Sequence, residues 1–521
     1  MATLATPSAA APARGASRPR TRTLLLLLIA AGALLRFWGL GQQGFWYDEA
    51  YSALLVHFRF GDMLGLIPHT ESTPPLYYCL AWVWVRIFSD HEAGLRSLSA
   101  VIGVLVIPTL YGAALALTRS RVAALAAAAL AAFSPLLIWY SQEARAYELL
   151  VLGASASWLC LGAILASPRP RWFLAWGVVG ALTLASHYYA VVVLIPQALV
   201  LLGRFWRRPA AWAGVAIVAA AGGALLPLLI TQNNTHNDSW IAHVPLSLRL
   251  GQILPQFVLG TGTAARVPLK FAAFGLAGVG VVGLVWSRAR GAVLAAVLTV
   301  AGFGLAMLFV AGPSDTLLGR NLIGLWPGAD LAVAGGLAAL WRVRPLRWAP
   351  PLAVAGLCLV GVVAVVSVAT TYALQRPNWR PVARLLAGQR SAANRLVLIQ
   401  HYSYDLPLSL YLPRLRFARA PTDPRVGEID VIAMAPEPGG PVCWWGSGCN
   451  LEPSALQRSY RIRGFRADGV THIEQFSIFR LIAAHPRTVT RAEIARALVT
   501  TTLPRDVLLF QRQAGRRPQP A

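Results

Sequence analysis

The chain has 521 residues, of which 56% are apolar and only 13% are charged, and its formal net charge is +25. Because soluble proteins usually carry about a quarter of their residues as charged side chains, this composition excludes an ordinary soluble enzyme. The positive charge does not indicate nucleic-acid binding, because the arginines lie in short loops between apolar segments, where the positive-inside rule places them.

The sequence predicts a polytopic α-helical membrane protein. Apolar runs of about 20 residues recur, and each is long enough to cross a hydrocarbon core of about 30 Å. The first run follows the basic tail of residues 1–22 without a convincing cleavage site, so we expect an uncleaved helix whose N-terminus is cytoplasmic. About eleven spans are predicted, at residues 23–40, 97–117, 122–140, 148–166, 173–187, 189–203, 210–230, 269–286, 291–311, 322–340 and 349–371.

One apolar segment decides the predicted orientation of the later spans. "PLYYCLAWVWVRIFS" (75–89) is rich in aromatic residues but short for a span, so we interpret it as a helix that lies on the outer interface. All of the arginine-rich loops then face the cytoplasm, whereas counting this segment as a span would put them outside. The membrane domain of residues 23–372 is therefore expected to have a long first outer loop (41–95) and a second one (231–268).

The tail after the last span has a different character. Residues 373–510 are predicted to form an extracytoplasmic α/β domain, and residues 511–521 to be disordered. Within the domain, "RLVLIQ", "EIDVIAMA" and "THIEQFSIFRLI" predict strands, while "DLPLSLYL" and "TRAEIARALV" predict helices. Cys443 and Cys449 flank a short turn, and they either form a disulfide outside the cytoplasm or remain free thiols.

The acidic residues of the membrane domain gather on its predicted outer side, and only Asp330 falls deep inside a predicted span. Asp48 and Glu49 are adjacent in the first outer loop. Such a pair can supply a general base, bind a metal, or form ion pairs with an arginine such as Arg36 or Arg59.

A second polar motif is "SPLLIWYSQEARAYELL" (134–150), which places four polar residues at a turn between spans: Gln142, Glu143, Arg145 and Tyr147. An arginine at this position suits a phosphate, because its planar guanidinium makes bidentate hydrogen bonds. The alternative is an ion pair of Arg145 with Glu143 or Glu148 that shapes the turn.

Further polar residues lie in the remaining outer segments. The turn "SHYYA" (186–190) contains His187 and Tyr188, and His187 could bind a proton, a metal or a phosphate, or be an ordinary structural histidine. The second outer loop, which could act as a mobile gate, and the segment "PSDTLLGRN" contribute Asn233, His236, Asp238, His243, Arg266, Asp315, Arg320 and Asn321. The absence of a phosphate-binding glycine loop, a zinc-binding pair and a GxSxG motif argues against an ATPase, a zinc protease and a serine hydrolase.

Several motifs, taken in order, resemble one known family. "LLRFWGL", "FWYDEAYS", "TPPLYY", "SPLLIWYSQEARAYEL" and "SHYYA" lie within residues 23–205 and resemble the bacterial dolichyl-phosphate-mannose-protein mannosyltransferase-like family of GT-C glycosyltransferases. The similarity resumes at "RPNWRPVARLLAG" (376–388). This resemblance implies a multi-pass enzyme of the inner (plasma) membrane. It would transfer a sugar from a polyprenyl-phosphate donor to a protein, lipid or glycan acceptor outside the cytoplasm, with inversion.

The resemblance also implies roles for single residues. Asp48 corresponds to the catalytic base, with Glu49 beside it, and Arg145 corresponds to a contact of the donor phosphate. The other candidates for substrate binding are Gln142, Glu143, Tyr147, His187, Tyr188 and Arg320. Thr73 stands where many relatives have a histidine, which puts a metal or acceptor role of that position in doubt. The sequence assigns no cofactor, and a divalent metal stays an open alternative.

Two other functions compete with sugar transfer. A lipid-linked sugar flippase or polysaccharide exporter should place charges along a continuous path through the membrane, and only Asp330 is deep. An assembly factor would act through the C-terminal domain instead.

Overall fold

The computed structural model describes residues 18–263, 267–287, 289–312, 315–388, 395–399, 405–412, 415–417, 425–434, 460–490, 492–494 and 507–511. In this part of the chain, a helical region extends to Thr370 and is followed by a region built on a mixed β-sheet. Cys443, Cys449, Arg266 and residues 512–521 lie outside the described residues, as does most of the helix predicted at 490–499.

The helical region contains helices of very different length. They are α1 (Arg18–Phe37), α2 (Tyr47–His57), α3 (Phe60–Thr70), α4 (Leu76–Phe88), α5 (Glu92–Thr118), α6 (Arg121–Phe133), α7 (Pro135–Ser141), α8 (Tyr147–Ala166), α9 (Pro170–Ser186), α10 (Val191–Phe205), α11 (Pro209–Asn233), α12 (Leu246–Thr263), α13 (Val267–Ser287), α14 (Arg290–Val310), α15 (Trp326–Leu340) and α16 (Ala349–Thr370). The main apolar core lies among α5, α6, α8, α9 and α15.

Among the described residues, eight helices have the length and composition to cross a membrane, or nine if the bent pair α6–α7 forms one span. A helix lies at every predicted span position. However, α1 carries several arginines and α9 has only 17 residues, so neither is counted among the eight helices that could cross a membrane. The multi-pass helical class is confirmed, whereas the predicted number of eleven spans is not.

The predicted first outer loop folds into three short helices. α4 has 13 residues and therefore extends only about 20 Å, too little to cross the hydrocarbon core. Tyr77 and Tyr78 pack into a core shared with α2 and α3. Outside this core, α4 exposes apolar side chains: Leu80, Val83, Ile87 and Phe88. These features support an interfacial helix rather than a span, and its position on the interface stays a prediction.

Two breaks shape the helices behind the first outer loop. Ser134 separates α6 from α7 and caps α7 by accepting a hydrogen bond from the Leu137 N–H at 3.4 Å, while Pro135 takes the first helical position. The two helices meet at an angle of 54°. α12 is interrupted at Gly260, whose φ of 74° favours glycine. A Cβ at Gly260 would lie 3.0 Å from the carbonyl carbon of Pro135, so the two breaks are in contact.

The C-terminal region combines α17 (Trp379–Gly388) and α18 (Asp405–Tyr411) with β1 (Arg395–Ile399), β2 (Leu415–Phe417), β3 (Arg425–Met434), β4 (Arg466–Ile473), β5 (Phe476–Thr488) and β6 (Val507–Gln511). The strand order is β2-β6-β1-β3-β5-β4, in which β1 and β3 are parallel and the other neighbours are antiparallel. Two apolar clusters cover the two faces of the central strands.

Part of the described secondary structure of this region agrees with the prediction. Strands β1 and β3 and helix α18 lie where the sequence predicts them. The single strand predicted at 471–482 is wrong, because β4 and β5 form a hairpin there that turns at Glu474 and Gln475. Glu474 adopts a φ of 49°, which glutamate rarely does, so the sequence carries no ordinary turn signal at this point.

Candidate active site

Asp48 and Glu49 lie in the first turn of α2, which begins at Tyr47. Adjacent residues of a helix point in directions about 100° apart, so the two carboxylates reach different surroundings. Asp48 pairs with Arg320, and Glu49 pairs with Arg96. Neither carboxylate has Arg36 or Arg59 as its partner, which were the partners considered from the sequence.

Glu49 is part of a closed structural network. Its side chain is fully buried, and it accepts hydrogen bonds from Arg96 Nε at 2.7 Å and Nη2 at 2.5 Å. It also accepts the backbone N–H of Ala144 at 2.8 Å, which ties α2 to the turn before α8. Burial alone would raise the pKa of Glu49, but the guanidinium of Arg96 outweighs burial and holds that pKa below its usual value.

Asp48 is in a more open position. Its Oδ2 lies 2.9 Å from Nη1 of Arg320, and the side chains of Arg320 and Asp48 are 16% and 17% exposed. The guanidinium of Arg320 lies 5.7 Å from the ring centre of Trp240. Its Nε is buried and has no hydrogen-bond partner among the described residues. Arg320 is therefore a cation with a donor to spare, next to an accessible carboxylate.

Arg320 itself is held by a firmly anchored segment. Upstream of it, Asp315 accepts hydrogen bonds from Arg249 Nη1 at 2.7 Å and Nη2 at 2.6 Å. Arg249 also donates to the carbonyls of Val244 and Leu317. The Arg249–Asp315 ion pair thus connects α12 to the segment that carries Arg320. The guanidinium of Arg320 takes no part in this ion pair.

Arg145 has its charge neutralised by a partner that the sequence motifs do not indicate. Its Nη1 lies 2.7 Å from Oε2 of Glu71 and 3.3 Å from the backbone carbonyl of Asp48. The Tyr78 hydroxyl donates to the same Glu71 oxygen at 2.5 Å, and Thr73 lies 3.0 Å from that hydroxyl. Burial raises the pKa of Glu71, which Arg145 opposes. The ion pair of Arg145 with Glu143 or Glu148, considered from the sequence, is absent.

Gln142 and Glu143 brace the turn in front of α8. Gln142 Nε2 donates to the carbonyls of Leu35 at 3.0 Å and Trp38 at 2.9 Å. It thereby supplies hydrogen bonds to backbone carbonyl groups at the C-terminal end of α1. Glu143 pairs with Arg376 at 2.6 Å. Burial raises the pKa of Glu143 to about 7, although Arg376 acts in the opposite direction.

His187 is buried between α9 and the turn that starts α10. Its Nδ1 accepts the backbone N–H of Tyr189 at 3.2 Å, which assigns the ring proton to Nε2. Burial, together with the nearby charges of Arg145 and Arg320, lowers the pKa of His187 to about 3, so the ring is neutral at pH 7. The ring centre of Tyr147 lies 5.8 Å away. The neighbouring Tyr188 instead donates to Gln232 at 2.7 Å.

The predicted second outer loop brings one more acid towards the site. Asp238 hydrogen-bonds to Ser72, and its charge interacts with those of Arg320 and Asp48. Burial raises the pKa of Asp238. Asn321 donates to the Thr316 carbonyl at 2.7 Å and so has a local structural contact. In the described part of the chain, no three His, Cys, Asp or Glu side chains group closely enough to hold a metal ion.

The acids and Arg145 were recognisable from the sequence, but three of their partners were not: Arg96, Glu71 and Arg376. The sequence does indicate in general that such partners exist, because acids and arginines buried near a membrane require a residue of opposite charge beside them. That signal could not say which residue pairs with which.

Comparison with known proteins bears on this arrangement. Residues 72–227 match the family model described as dolichyl-phosphate-mannose-protein mannosyltransferase.

Over this segment, the chain resembles the GT-C glycosyltransferases.

No curated protein matches the chain. Among solved structures, ArnT from Cupriavidus metallidurans bound to undecaprenyl phosphate is 15% identical, covers 75% of this chain and 85% of its own, and has a TM-score of 0.48. The archaeal oligosaccharyltransferase AglB from Archaeoglobus fulgidus, in complex with an inhibitory peptide and a dolichol-phosphate, is 12% identical. It covers 75% of this chain and 63% of its own, with a TM-score of 0.48.

The glycosyltransferase match includes one part of the site and leaves out another. Thr73, the turn with Arg145, and His187 lie within residues 72–227. Asp48, Glu49 and Arg320 lie outside the matched segment, and it is the tertiary fold that brings them next to it.

Proposed function

We propose that the chain transfers a sugar from a polyprenyl-phosphate donor to an acceptor hydroxyl on the extracytoplasmic face, with Asp48 as general base and with inversion. The observation that carries this proposal is the Asp48–Arg320 pair, in which an accessible carboxylate adjoins a cation with an unused buried donor. The family match supports the class of donor, because its description names a dolichyl-phosphate sugar.

The two groups meet the needs of a direct displacement. The acceptor oxygen forms a bond to the anomeric carbon while the bond from that carbon to the phosphate oxygen breaks. The hydroxyl proton passes to Asp48, and the bonding electrons leave with the phosphate. Arg320 stabilises the charge that develops on the departing phosphate. Attack from the face opposite the leaving group inverts the configuration.

Among the arginines of the site, Arg320 is the better candidate for the phosphate. The charge of Arg145 is already neutralised by Glu71, and Arg145 also supports the backbone at Asp48. Arg320 keeps its Nε free for a phosphate oxygen while Nη1 contacts Asp48. We therefore assign the phosphate contact first to Arg320, and we give Arg145 a positioning role.

The remaining candidates divide in a similar way. His187 is neutral, and its Nε2–H can donate to a sugar hydroxyl or a phosphate oxygen beside Tyr147. Gln142, Glu143 and Tyr188 are engaged with other protein groups, and we propose that they shape the site. Glu49, which is closed off by Arg96, would hold α2 in place rather than take part in proton transfer.

The test is turnover of radiolabelled polyprenyl-phosphate mannose by the purified protein, with a panel of other polyprenyl-phosphate sugars in parallel. We expect Asp48→Asn to lower the turnover of the accepted donor at least about 100-fold, because it removes the base but keeps the shape of the side chain. Asp62→Asn is the matched control, since Asp62 is an exposed acid of the same outer loop. Wild-type turnover by Asp48→Asn would refute the proposal.

A further inference from the structure

The segment that leads into the Asp48 helix has little secondary structure of its own. Residues 39–46 form turns and extended backbone, and one hydrogen bond within the segment joins the Gln42 N–H to the Gly39 carbonyl at 3.0 Å. The Trp46 carbonyl accepts the Ala50 N–H of α2, but no regular helix or strand runs through the segment, so its position depends on side chains from elsewhere in the chain.

The membrane domain supplies one set of these contacts through Arg96. Besides pairing with Glu49, Arg96 donates to the carbonyls of Leu40 and Gln43, both at 2.8 Å, and to that of Gly44 at 2.9 Å. This arginine fixes one side of the segment and belongs to α5.

The C-terminal region supplies the other set. The Gly44 N–H donates to Oδ1 of Asn378 at 2.8 Å, and the Phe45 N–H donates to the Tyr411 hydroxyl at 2.6 Å. Arg380 Nη2 donates to the carbonyls of Gly41 at 2.9 Å and Gln42 at 2.5 Å. We call Asn378, Arg380 and Tyr411 the C-terminal clamp.

The clamp is anchored in turn by an acid of the membrane domain. Glu92, at the start of α5, accepts a hydrogen bond from the Tyr411 hydroxyl at 2.6 Å and lies 3.3 Å from Nη1 of Arg380. The clamp residues approach the backbone of residue 44 so closely that this position requires a glycine. A Cβ at Gly44 would lie 2.8 Å from Asn378 Oδ1 and 3.0 Å from the Tyr411 hydroxyl. The interface is thus specific in charge, hydrogen bonding and shape.

We propose that Asn378, Arg380 and Tyr411 are positioning residues of the transfer reaction. By fixing residues 41–45, they set where α2 begins and so where the Asp48 carboxylate lies relative to Arg320. This inference rests on the proposed role of Asp48. It gives the C-terminal region a direct part in the chemistry: a displacement of about 1 Å in a reacting group can cost about 100-fold in rate.

The first test compares Tyr411→Phe with Tyr372→Phe in the full-length protein, again with polyprenyl-phosphate mannose or the sugar that the panel identifies. Tyr411→Phe removes the acceptor of the Phe45 N–H and the donor to Glu92, while Tyr372 is 54% exposed and serves as the control. We expect kcat to fall about tenfold in Tyr411→Phe, with the KM of the donor unchanged, and no effect of Tyr372→Phe.

A second measurement does not depend on activity. Amide hydrogen exchange in a peptide covering residues 39–47 should become at least tenfold faster in both Tyr411→Phe and Asn378→Ala. Peptides from α5 should exchange as in the wild type, which would show that the variants remain folded. Unchanged exchange in residues 39–47, or wild-type kcat in both variants, would overturn the inference.

Asp48→Asn, measured alongside, separates this inference from the proposed function. If Asp48→Asn is inactive and the clamp variants are fully active, the clamp inference fails and the proposed function stands. If Asp48→Asn is active, the proposed base is wrong, and the clamp loses its role in the reaction even where exchange increases.

Discussion

Asp48 and Glu49 are neighbours in the sequence, yet the first turn of α2 gives them opposite surroundings. Glu49 is enclosed by Arg96 and the Ala144 N–H, whereas Asp48 keeps an accessible edge beside Arg320. In a membrane-proximal site, a carboxylate that is to accept a proton must be reachable by the acceptor, and one that holds the backbone need not be. The two residues should therefore respond differently to the same kind of substitution.

We predict that Glu49→Gln destabilises the protein by about 3–5 kcal/mol, because it leaves the charge of Arg96 buried without its partner. Asp90→Asn is the matched control: Asp90 pairs with His57 at 2.9 Å, with side-chain exposures of 45% and 55%. Solvent screening should limit the effect of that substitution to less than about 1 kcal/mol. Chemical unfolding in detergent measures both, and similar unfolding free energies would contradict the structural role of Glu49.

The extent to which sequence could predict the site is visible in these residues. The adjacent acids, the arginine of the "QEAR" turn and His187 were all recognisable as polar residues in an apolar chain. Their partners were not, because Arg96 lies 47 positions from Glu49 and Arg320 lies 272 positions from Asp48. Ion pairs between such distant residues depend on how the helices pack, which local patterns do not encode.

At the scale of single elements, the break in α12 is the clearest case of a position that requires glycine. Gly260 combines a φ of 74° with a ψ of 173°, a conformation that residues with a Cβ avoid. It also packs against Pro135, at the bend between α6 and α7. The kink therefore lets α12 pass close to α7, whose C-terminal end leads into the turn with Arg145.

We predict that Gly260→Ala destabilises the protein by roughly 1–3 kcal/mol, since the new Cβ is strained in this backbone and meets Pro135. Gly251→Ala is the control within the same helix, because a Cβ there meets nothing within 4 Å. It should be neutral or slightly stabilising. Thermal unfolding of the two variants in the same detergent measures the difference, and equal midpoints would argue against strain at Gly260.

At the scale of the whole molecule, arginine-rich loops and site residues lie at opposite ends of the same helices. α5 runs from Glu92, at the clamp, to Thr118, beside Arg119, and its 27 residues extend over about 40 Å. α8 likewise begins at Tyr147, next to the site, and ends before the loop with Arg169. This polarity agrees with the predicted orientation, in which arginines are cytoplasmic and the site is outside.

We predict that Arg59→Cys is labelled by a membrane-impermeant maleimide in intact cells, while Arg119→Cys is labelled only after permeabilisation. Both side chains are exposed, so accessibility reports the side of the membrane. The substitutions are made in a background in which the five native cysteines are replaced by serine. Labelling in the reverse order would overturn the predicted orientation.

The sequence by itself determined the helical membrane class, the positions of the long apolar helices and the short α4. Hydropathy and length are local properties of a segment, and they decide whether that segment can cross a bilayer. It also indicated the family, through motifs that keep their order along the chain. Only the tertiary structure decided which carboxylate is open and which arginine has a donor to spare. It also revealed that the C-terminal region contacts the segment before Asp48. These are contacts between residues far apart in the chain, and they exist only once the helices have packed and the buried charges have found their partners.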